Sequence, residues 1–500
     1  MTTDVIVIGG GLNGLVTAVS LAYTNKTVTL FEQQPHLGGA AQTGPGDVGL
    51  LASALVDQLD LSFIEPPALV TAVQPDGPAL TLWRDEARTV AGLRQFSQQD
   101  ADHYPDFCRE VVTLGAQWQQ WLAQPSPNLE TADSPTFLAW IQTMAGQADS
   151  AQPLKLWHTA ALSLRHYLRR WFESDLLHGA LAAGPLIGVC YGPWADHTTH
   201  HLLSQTGPDA VRAVRLVQGG VDALAQALAE RATGLGVLVE RGTAVSRILL
   251  DDNQQAVGVV LDNGQTHYAQ QIISSAGLRH TLFNLVGAAN LEPRTVRHLR
   301  SRVYRGSTSQ LNLRLRGLPR FNGVADSDAL TGHIVIAPSL TYLEKAADAG
   351  KYGRIAPNLV LDMMLPTLSD PTLAPPDEHI LYVTIQHTPY HLREGEWDEA
   401  QRNGLAQQVI AQLGRYSPDL LSQIIDWQLT TPLDYEQQFG LSEGHIHQGQ
   451  RELGQMGPLR PLPGCGPDET PIANLYLCGA AANGVQRLLP NNERYLHVGN

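Results

Sequence analysis

Cysteine is scarce in this chain of 500 residues: there are four, Cys108, Cys190, Cys465 and Cys478. They form no disulfide framework and no paired metal clamp, since the closest two stand thirteen positions apart. That usage fits a reducing, cytoplasmic compartment. Charge is scarce as well, at 16% of residues against about 25% in ordinary soluble domains. Basic charge is the scarcer sign, with 33 Lys and Arg against 48 Asp and Glu and a net charge of −15. A phosphate backbone is gripped by clustered cations, so no nucleic-acid partner is expected. Long apolar runs are missing too. Residues 5–22 are interrupted by Gly9, Gly10, Gly11, Asn13 and Gly14, poor material for a membrane span of about 20 residues. The opening Met1-Thr2-Thr3-Asp4 carries no basic leader, so no secretory signal is expected. Low charge still permits peripheral contact with a membrane, although no basic amphipathic helix demands it. With 43% hydrophobic residues at this length, two or three packed domains are expected.

What is present at the start is highly ordered. Val5-Ile6-Val7-Ile8 is a β-branched run, suited to a strand buried on both faces of a parallel sheet. Gly9, Gly11 and Gly14 follow as G-x-G-x-x-G, then an Ala-, Leu- and Val-rich helix over 15–23. A second strand, 28–31, delivers Glu32 at its end. Each residue type has a task. Gly9 permits the tight turn, Gly11 lets backbone approach a pyrophosphate, and Gly14 lets the helix pack on the strand. The helix N-terminus offers N–H groups to phosphate, and Glu32 can accept from both hydroxyls of an adenosine ribose. An acid at that place favours FAD or NAD over NADP. Leu12, Asn13 and Gln33 flank these residues and belong to the same candidate cofactor site.

Gln33-Gln34-Pro35-His36-Leu37-Gly38-Gly39-Ala40-Ala41 comes next. It resembles the E-x(5)-G-G extension of the FAD-dependent amine-oxidase and phytoene-desaturase superfamily, whose glycine pair lies against the flavin diphosphate. The resemblance therefore implies FAD, with Gly38, Gly39 and Ala40 beside it. Ala40-Ala41 departs from the Arg that many members carry there. Further segments resemble the phytoene-desaturase-like subgroup, among them Leu80-Thr81-Leu82-Trp83, Asp370-Pro371-Thr372-Leu373, His387-Thr388-Pro389-Tyr390, Thr431-Pro432-Leu433-Asp434 and Asn474-Leu475-Tyr476-Leu477-Cys478-Gly479. They extend the likeness over nearly the whole chain. It implies one FAD and an oxidoreductase acting on an apolar or amine-bearing small molecule. Val245 resembles the residue whose backbone pairs with adenine, and Ala276, Gly479 and Val485 are carried over as cofactor-contacting positions. Where the family has a glycine-rich loop after Gly479, this chain reads Ala481-Ala482-Asn483-Gly484-Val485-Gln486-Arg487. That departure leaves three readings open: a flavin dehydrogenase or desaturase acting on a C–C or C–N bond, a non-redox flavin isomerase or cyclase, and a degenerate FAD-fold binding protein. No second G-x-G-x-x-G is present, so a nicotinamide donor is disfavoured.

The expected fold class is α/β with an α+β substrate part. A discontinuous Rossmann-like FAD-binding domain would be interrupted by a substrate domain of antiparallel sheet plus helices. The FAD domain is expected over 1–70 and 213–300, with a mainly helical cap at 71–212. The substrate sheet and helices are expected at 301–450, and 451–500 returns to the flavin. A hairpin over 73–84, turning at Asp76-Gly77, is expected to intrude into the cap. Strands are expected at 256–261, 267–274, 308–315, 332–337, 359–365 and 380–387, and a helix at 398–416. Trp118, Trp121, Trp140, Trp157, Trp171 and Trp194 cluster in the cap, where core packing outweighs pocket lining as an explanation.

No catalytic residue stands out. Asp196-His197-Thr198-Thr199-His200-His201 on a helix would bring His197 onto one face with His200 or His201. No third ligand is near enough for a metal site. His445-Ile446-His447 has strand spacing, in a region that the resemblance places near the flavin edge. His200 and His447 are the candidates for proton handling. Arg165, Arg169 and Arg170 are read as a solvated helix face.

Overall fold

The computed structural model describes residues 3–49, 61–122, 133–136, 138–139, 152–456, 462, 465 and 468–479. The β-branched opening forms the strand Thr3–Ile8 in the middle of a parallel sheet. Across that sheet the order is Leu238–Glu240, Val28–Phe31, Thr3–Ile8, Thr266–Ser274 and Leu475–Leu477. Both faces of the central strand are covered. Val5 and Val7 pack against the helices Leu12–Ala22 and Gly220–Gly234, while Ile6 and Ile8 enter a core on the other side with Leu278, Leu282 and Leu285. Val5, Ile6 and Val7 are fully buried, each worth about 1.5–3 kcal/mol.

Strand Thr266–Ser274 belongs to two arrangements at once. Its first residues pair antiparallel with Ala256–Leu261, which pairs with Val245–Leu250. Its later residues run parallel to Thr3–Ile8, with Gln271 opposite Val5 and Ser274 opposite Ile8. Five strands drawn from three distant stretches of chain thus make one parallel sheet, so the unit built on it is discontinuous in sequence.

Among the described residues the second sheet has seven strands, in the order Ile424–Thr430, Thr308–Arg316, Glu378–Gln386, Leu361–Met364, His333–Ile336, Ala68–Ala72 and Leu80–Trp83. Every pairing is antiparallel except that of His333–Ile336 with Ala68–Ala72. One face carries Leu311, Leu313 and Leu361 against the helix Glu399–Tyr416. Opposite it, Leu69, Val335 and Met364 pack on the helices Gln98–Leu122 and Asp175–Ala183.

Two expectations change here. The hairpin is formed by Ala68–Ala72 and Leu80–Trp83 and lies at the edge of this sheet, outside the helical cap. Its strands read ALVTA and LTLW, and their apolar side chains fill the sheet's core. The expected boundary at residue 70 falls inside one of these strands. The strand Ile424–Thr430 has no counterpart in the sequence reading. It is an edge strand whose residues alternate, with Ile425, Trp427 and Leu429 partly covered between the exposed Asp426 and Gln428, so a period-2 signal is present in the sequence. Among the described residues no helix is long and apolar enough to cross a membrane.

Candidate functional site

The turn after Thr3–Ile8 depends on glycine at two positions. Gly9 takes φ +98°. A Cβ on Gly14 would lie 1.9 Å from the Gly9 carbonyl oxygen, so the helix Leu12–Ala22 sits on the turn at a distance that only glycine permits. Gly11 caps that helix with no side-chain hydrogen bond, and no acid occupies the first turn. The first N–H groups and the positive end of the helix dipole therefore remain available to an external anion. Gly38 donates its N–H to the Gly10 carbonyl at 2.9 Å and pairs with Gly11, which brings the second glycine pair beside the first turn.

Glu32 is 7% exposed. Its Oε2 accepts from Gly10 N–H at 2.5 Å and its Oε1 from Gln34 N–H at 2.8 Å. Burial pushes this carboxyl up, against the pull of those backbone donors. Each oxygen keeps a second lone pair for a further donor such as a ribose hydroxyl.

An elongated cleft with about 1020 Å³ of empty space runs over this surface. Gly9, Gly11, Leu12, Asn13, Glu32, Gln33, Gly38, Gly39, Ala40, Val245 and Ala276 all line it, although they come from four separate parts of the chain. Gly14 lies behind the turn. Gly479, at φ +83°, stands against Asn13, whose Nδ2 would be 2.6 Å from a Cβ at that position. Val485 and the segment 481–492 lie outside the described residues. A glycine cradle that a Cβ would fill, an open helix N-terminus and a buried acid fit the diphosphate and ribose of FAD.

A second cleft, with about 1210 Å³ of empty space, adjoins the first along Leu12, Ala40, Ala41 and Ile446, which line both. Its walls come from the loop after Gly39, the large sheet and the cap. The lining is mixed, with polar and charged side chains set among a larger apolar surface that includes Val48, Ile187, Val221 and Met364. Thr384 donates to Gln310 Oε1 at 2.9 Å. Gln205 donates to the Gly184 carbonyl at 2.8 Å, while its buried Oε1 has no hydrogen-bond partner.

One wall holds a charged network. His333 Nε2 lies 3.0 Å from Asp47 Oδ2, and its Nδ1 lies 2.5 Å from Asp362 Oδ1. Arg212 donates to Asp362 Oδ2 at 3.1 Å, and its other terminal nitrogen approaches His333 Nδ1 at 2.8 Å. Asp47 Oδ1 is anchored by the N–H groups of Gly49 and Arg215, both at 3.0 Å. Desolvation and the Arg212 charge oppose a proton on His333, yet Asp362 and Asp47 outweigh them and raise its pKa. Burial pushes Asp362 up, but Arg212 and His333 hold its carboxyl at about 2. Sequence reading missed all four residues. They stand at positions 47, 212, 333 and 362, and no local pattern connects them. The available signal was one acid inside the apolar run Leu359-Val360-Leu361-Asp362-Met363-Met364-Leu365, a costly burial unless it is paired.

The histidine candidates are divided by the fold. His447 lines the second cleft, with Nε2 3.0 Å from the Ile187 carbonyl oxygen. Its segment is a turn after the short helix Ser442–Gly444, so the expected strand spacing is not realised. His200 lines neither cleft. It stacks on Trp118 with ring centroids 5.4 Å apart, and burial pushes it down to about 3. The helix is Thr199–Gln205, and His197 precedes it at φ +63°, so it cannot share a helical face with His200 or His201. Trp118, Trp121 and Trp157 form an aromatic core, whereas Trp194 is exposed beneath Arg165. Trp140 lies outside the described residues.

Some segments that carried the family resemblance hold these parts together. Asp370 accepts from Gly219 N–H at 2.6 Å, tying Asp370-Pro371 to the helix Gly220–Gly234. Thr431 and Asp434 form a capping box on Pro432–Phe439. From that helix Tyr435 reaches Thr43 at 2.9 Å, beside the glycine pair.

Comparison with known proteins agrees with this geometry. The profile of the FAD dependent oxidoreductase family (DAO) matches residues 4–341. The chain is 27% identical to pyridine nucleotide-disulfide oxidoreductase domain-containing protein 2 of Rattus norvegicus, covering 96% of this chain and 90% of that protein. It is 24% identical to a lycopene-forming phytoene desaturase of Pseudescherichia vulneris, covering 96% and 94% respectively. The crystal structure of an oxidoreductase from Methanosarcina mazei superposes with a TM-score of 0.60 at 14% identity, covering 96% of this chain and 95% of that one. The profile spans well over half of the chain, and with the glycine cradle and buried acid it identifies this protein as a member of the FAD-dependent oxidoreductase family.

Proposed function

We propose that this protein is an FAD-dependent dehydrogenase that oxidises a C–C or C–N bond in a small organic molecule bearing a hydrogen-bonding group, with an amine as the preferred case. The observation that carries this reading is the junction of the two clefts along Leu12, Ala40 and Ala41. One cleft fits a dinucleotide, and the other, largely apolar in its lining, holds paired acids and a histidine on one wall. Bound FAD supplies a two-electron acceptor that takes hydride from the substrate carbon.

The remaining work falls to the chain's own residues. Gly9, Gly11, Leu12 and Asn13 hold the diphosphate end through backbone, and Glu32 orients the ribose. Loss of hydride leaves a proton to be removed from the neighbouring carbon or nitrogen. The Asp47–His333 pair receives it at the cleft wall, while Asp362 and Arg212 fix the imidazole from behind. The Asp47 carboxylate stands in the cleft wall beside Gln205 and Gln310, and an acceptor there favours an N–H-bearing substrate over a bare hydrocarbon. Oxygen, a quinone or another acceptor then takes up the electrons. The partner in this reading is the small-molecule substrate, in a cytoplasmic setting, with peripheral membrane contact only for delivery.

The test is a visible spectrum of the FAD-loaded protein under anaerobic conditions, followed during a screen of amines, amino alcohols and matched hydrocarbons. Bleaching by a polar member of the screen, reversed by air, supports the proposal. Bleaching by hydrocarbons alone overturns the substrate assignment. Isomerisation of a substrate with no bleaching at all overturns the dehydrogenase reading.

A further inference from the structure

A third pocket, with about 570 Å³ of empty space, lies apart from both clefts, where the strand Thr308–Arg316 begins and the helix Leu340–Lys351 ends. Ser307 faces it, while the adjacent Thr308 lines the substrate cleft, so the two sites open from opposite sides of one strand end. Two polar side chains at its floor are deeply buried. Ser307 is 7% exposed and His387 is 3% exposed. Neither Ser307 Oγ nor either ring nitrogen of His387 has a hydrogen-bond partner, and the Val189 carbonyl faces that ring without completing a bond. Leaving such groups unpaired costs about 1–3 kcal/mol apiece. His387 is also held at φ +62°, a strained conformation for a residue with a Cβ. Gly350 packs so closely on it that a Cβ there would lie 2.5 Å from the His387 carbonyl oxygen.

The mouth has a definite charge. Arg305 and Lys351 are both exposed and line the pocket. The acid lining it, Glu443, is engaged by Arg279 at 2.7 Å. Outside the pocket, Glu452 lies within the field of Arg305, and Glu344 within that of Lys351. Burial pushes His387 down to about 4, so at neutral pH the ring is uncharged and offers one donor and one acceptor.

We propose that this pocket binds the oxyanion group of a small ligand, a carboxylate or a phosphate, with Ser307 and His387 donating from the floor and Arg305 and Lys351 supplying charge at the mouth. The occupant satisfies the orphaned floor atoms, whose cost the empty pocket carries, and meets two cations at the mouth. It is independent of the dehydrogenase reading, because none of these four residues lines either of the other clefts.

The experiment is isothermal titration of the FAD-saturated full chain with inorganic phosphate and, separately, with malonate, at constant ionic strength. FAD saturation keeps the anion out of the glycine cradle. Saturable binding of either anion is expected. The Arg305→Gln/Lys351→Gln double variant, altered only at exposed positions, should weaken it about tenfold, or 1.4 kcal/mol. Ser307→Ala should weaken it severalfold with the melting temperature unchanged. Binding of both anions identifies a general oxyanion site, and binding of malonate alone an organic-acid site. Absence of saturable heat from both, or equal affinity in the double variant, overturns the proposal.

Discussion

Replacing Gly14 by Ala is the sharpest test of the cofactor cradle, because helix propensity and packing point in opposite directions. In an exposed helix, Gly→Ala stabilises by about 1 kcal/mol. At Gly14 the new Cβ would stand 1.9 Å from the Gly9 carbonyl oxygen. Ordinary contact begins near 3.4 Å, so the helix start must retreat by about 1.5 Å, several times the tolerance of a hydrogen bond. The N–H groups of Leu12 and Asn13 retreat with it. Loss of two charge-assisted hydrogen bonds to the diphosphate costs about 3–6 kcal/mol, or 10²–10⁴-fold in affinity. Gly92→Ala is the control: that glycine lies within the helix Glu86–Leu93, and a Cβ there meets nothing within 4 Å. The assay is quenching of FAD fluorescence on titration into apoprotein, with thermal melts of both variants. Gly14→Ala protein that binds FAD within twofold of wild type would falsify the argument, and Gly92→Ala should bind normally and melt no lower than wild type.

Three further outcomes are expected. His333→Gln should destabilise the chain by about 3–5 kcal/mol, since it removes one member of a buried charge network. The raised pKa of His333 means that its contribution is complete below about pH 6.5 and fades as pH rises through the folded value. Denaturant unfolding should therefore show a larger gap between wild type and variant at pH 6 than at pH 9. Asp362, held at about 2, adds the opposite limb, with stability present above about pH 4 and lost on acidification. Asp100→Ala should cost about 2–5 kcal/mol with no change in the flavin spectrum. That fully buried carboxylate accepts from Glu173 N–H at 2.8 Å and Ser174 N–H at 2.9 Å, and both donors would be orphaned. Burial pushes the thiols of Cys108 and Cys478 up to about 12 and that of Cys190 to about 11. All three should react slowly with Ellman's reagent at pH 8 in the folded protein and rapidly in urea; fast reaction when folded contradicts the raised thiol pKa values.

The cofactor end of this molecule was legible in the residues themselves, because its determinants are local. A β-branched run, three glycines at set spacing, a small-residue helix and an acid at a strand end define the turn, the close packing and the buried Glu32 within thirty residues of one another. The helix Glu399–Tyr416 was legible because its apolar residues repeat with the helical period, and the strand Ala256–Leu261 as a short apolar run before the turn Asp262-Asn263-Gly264. The edge position of Ile424–Thr430 was not, although its residues alternate apolar and polar over 425–430 as those of a half-covered strand do. Nor was the placement of the hairpin Ala68–Ala72 and Leu80–Trp83, because a strand carries no record of its sheet neighbours.

The substrate side depended on tertiary structure almost entirely. Asp47, Arg212, His333 and Asp362 are up to 315 positions apart in the chain and meet only because a loop, the cap and two neighbouring sheet strands converge there. His200 and His447 looked alike as residues, and only packing separated them: one is sealed among tryptophans, the other faces the cleft. Backbone geometry at a phosphate-binding turn is encoded over short spacings, where sterics act. A charged network is decided by long-range contacts, because burial alone determines whether an acid and a histidine hold their charges or lose them.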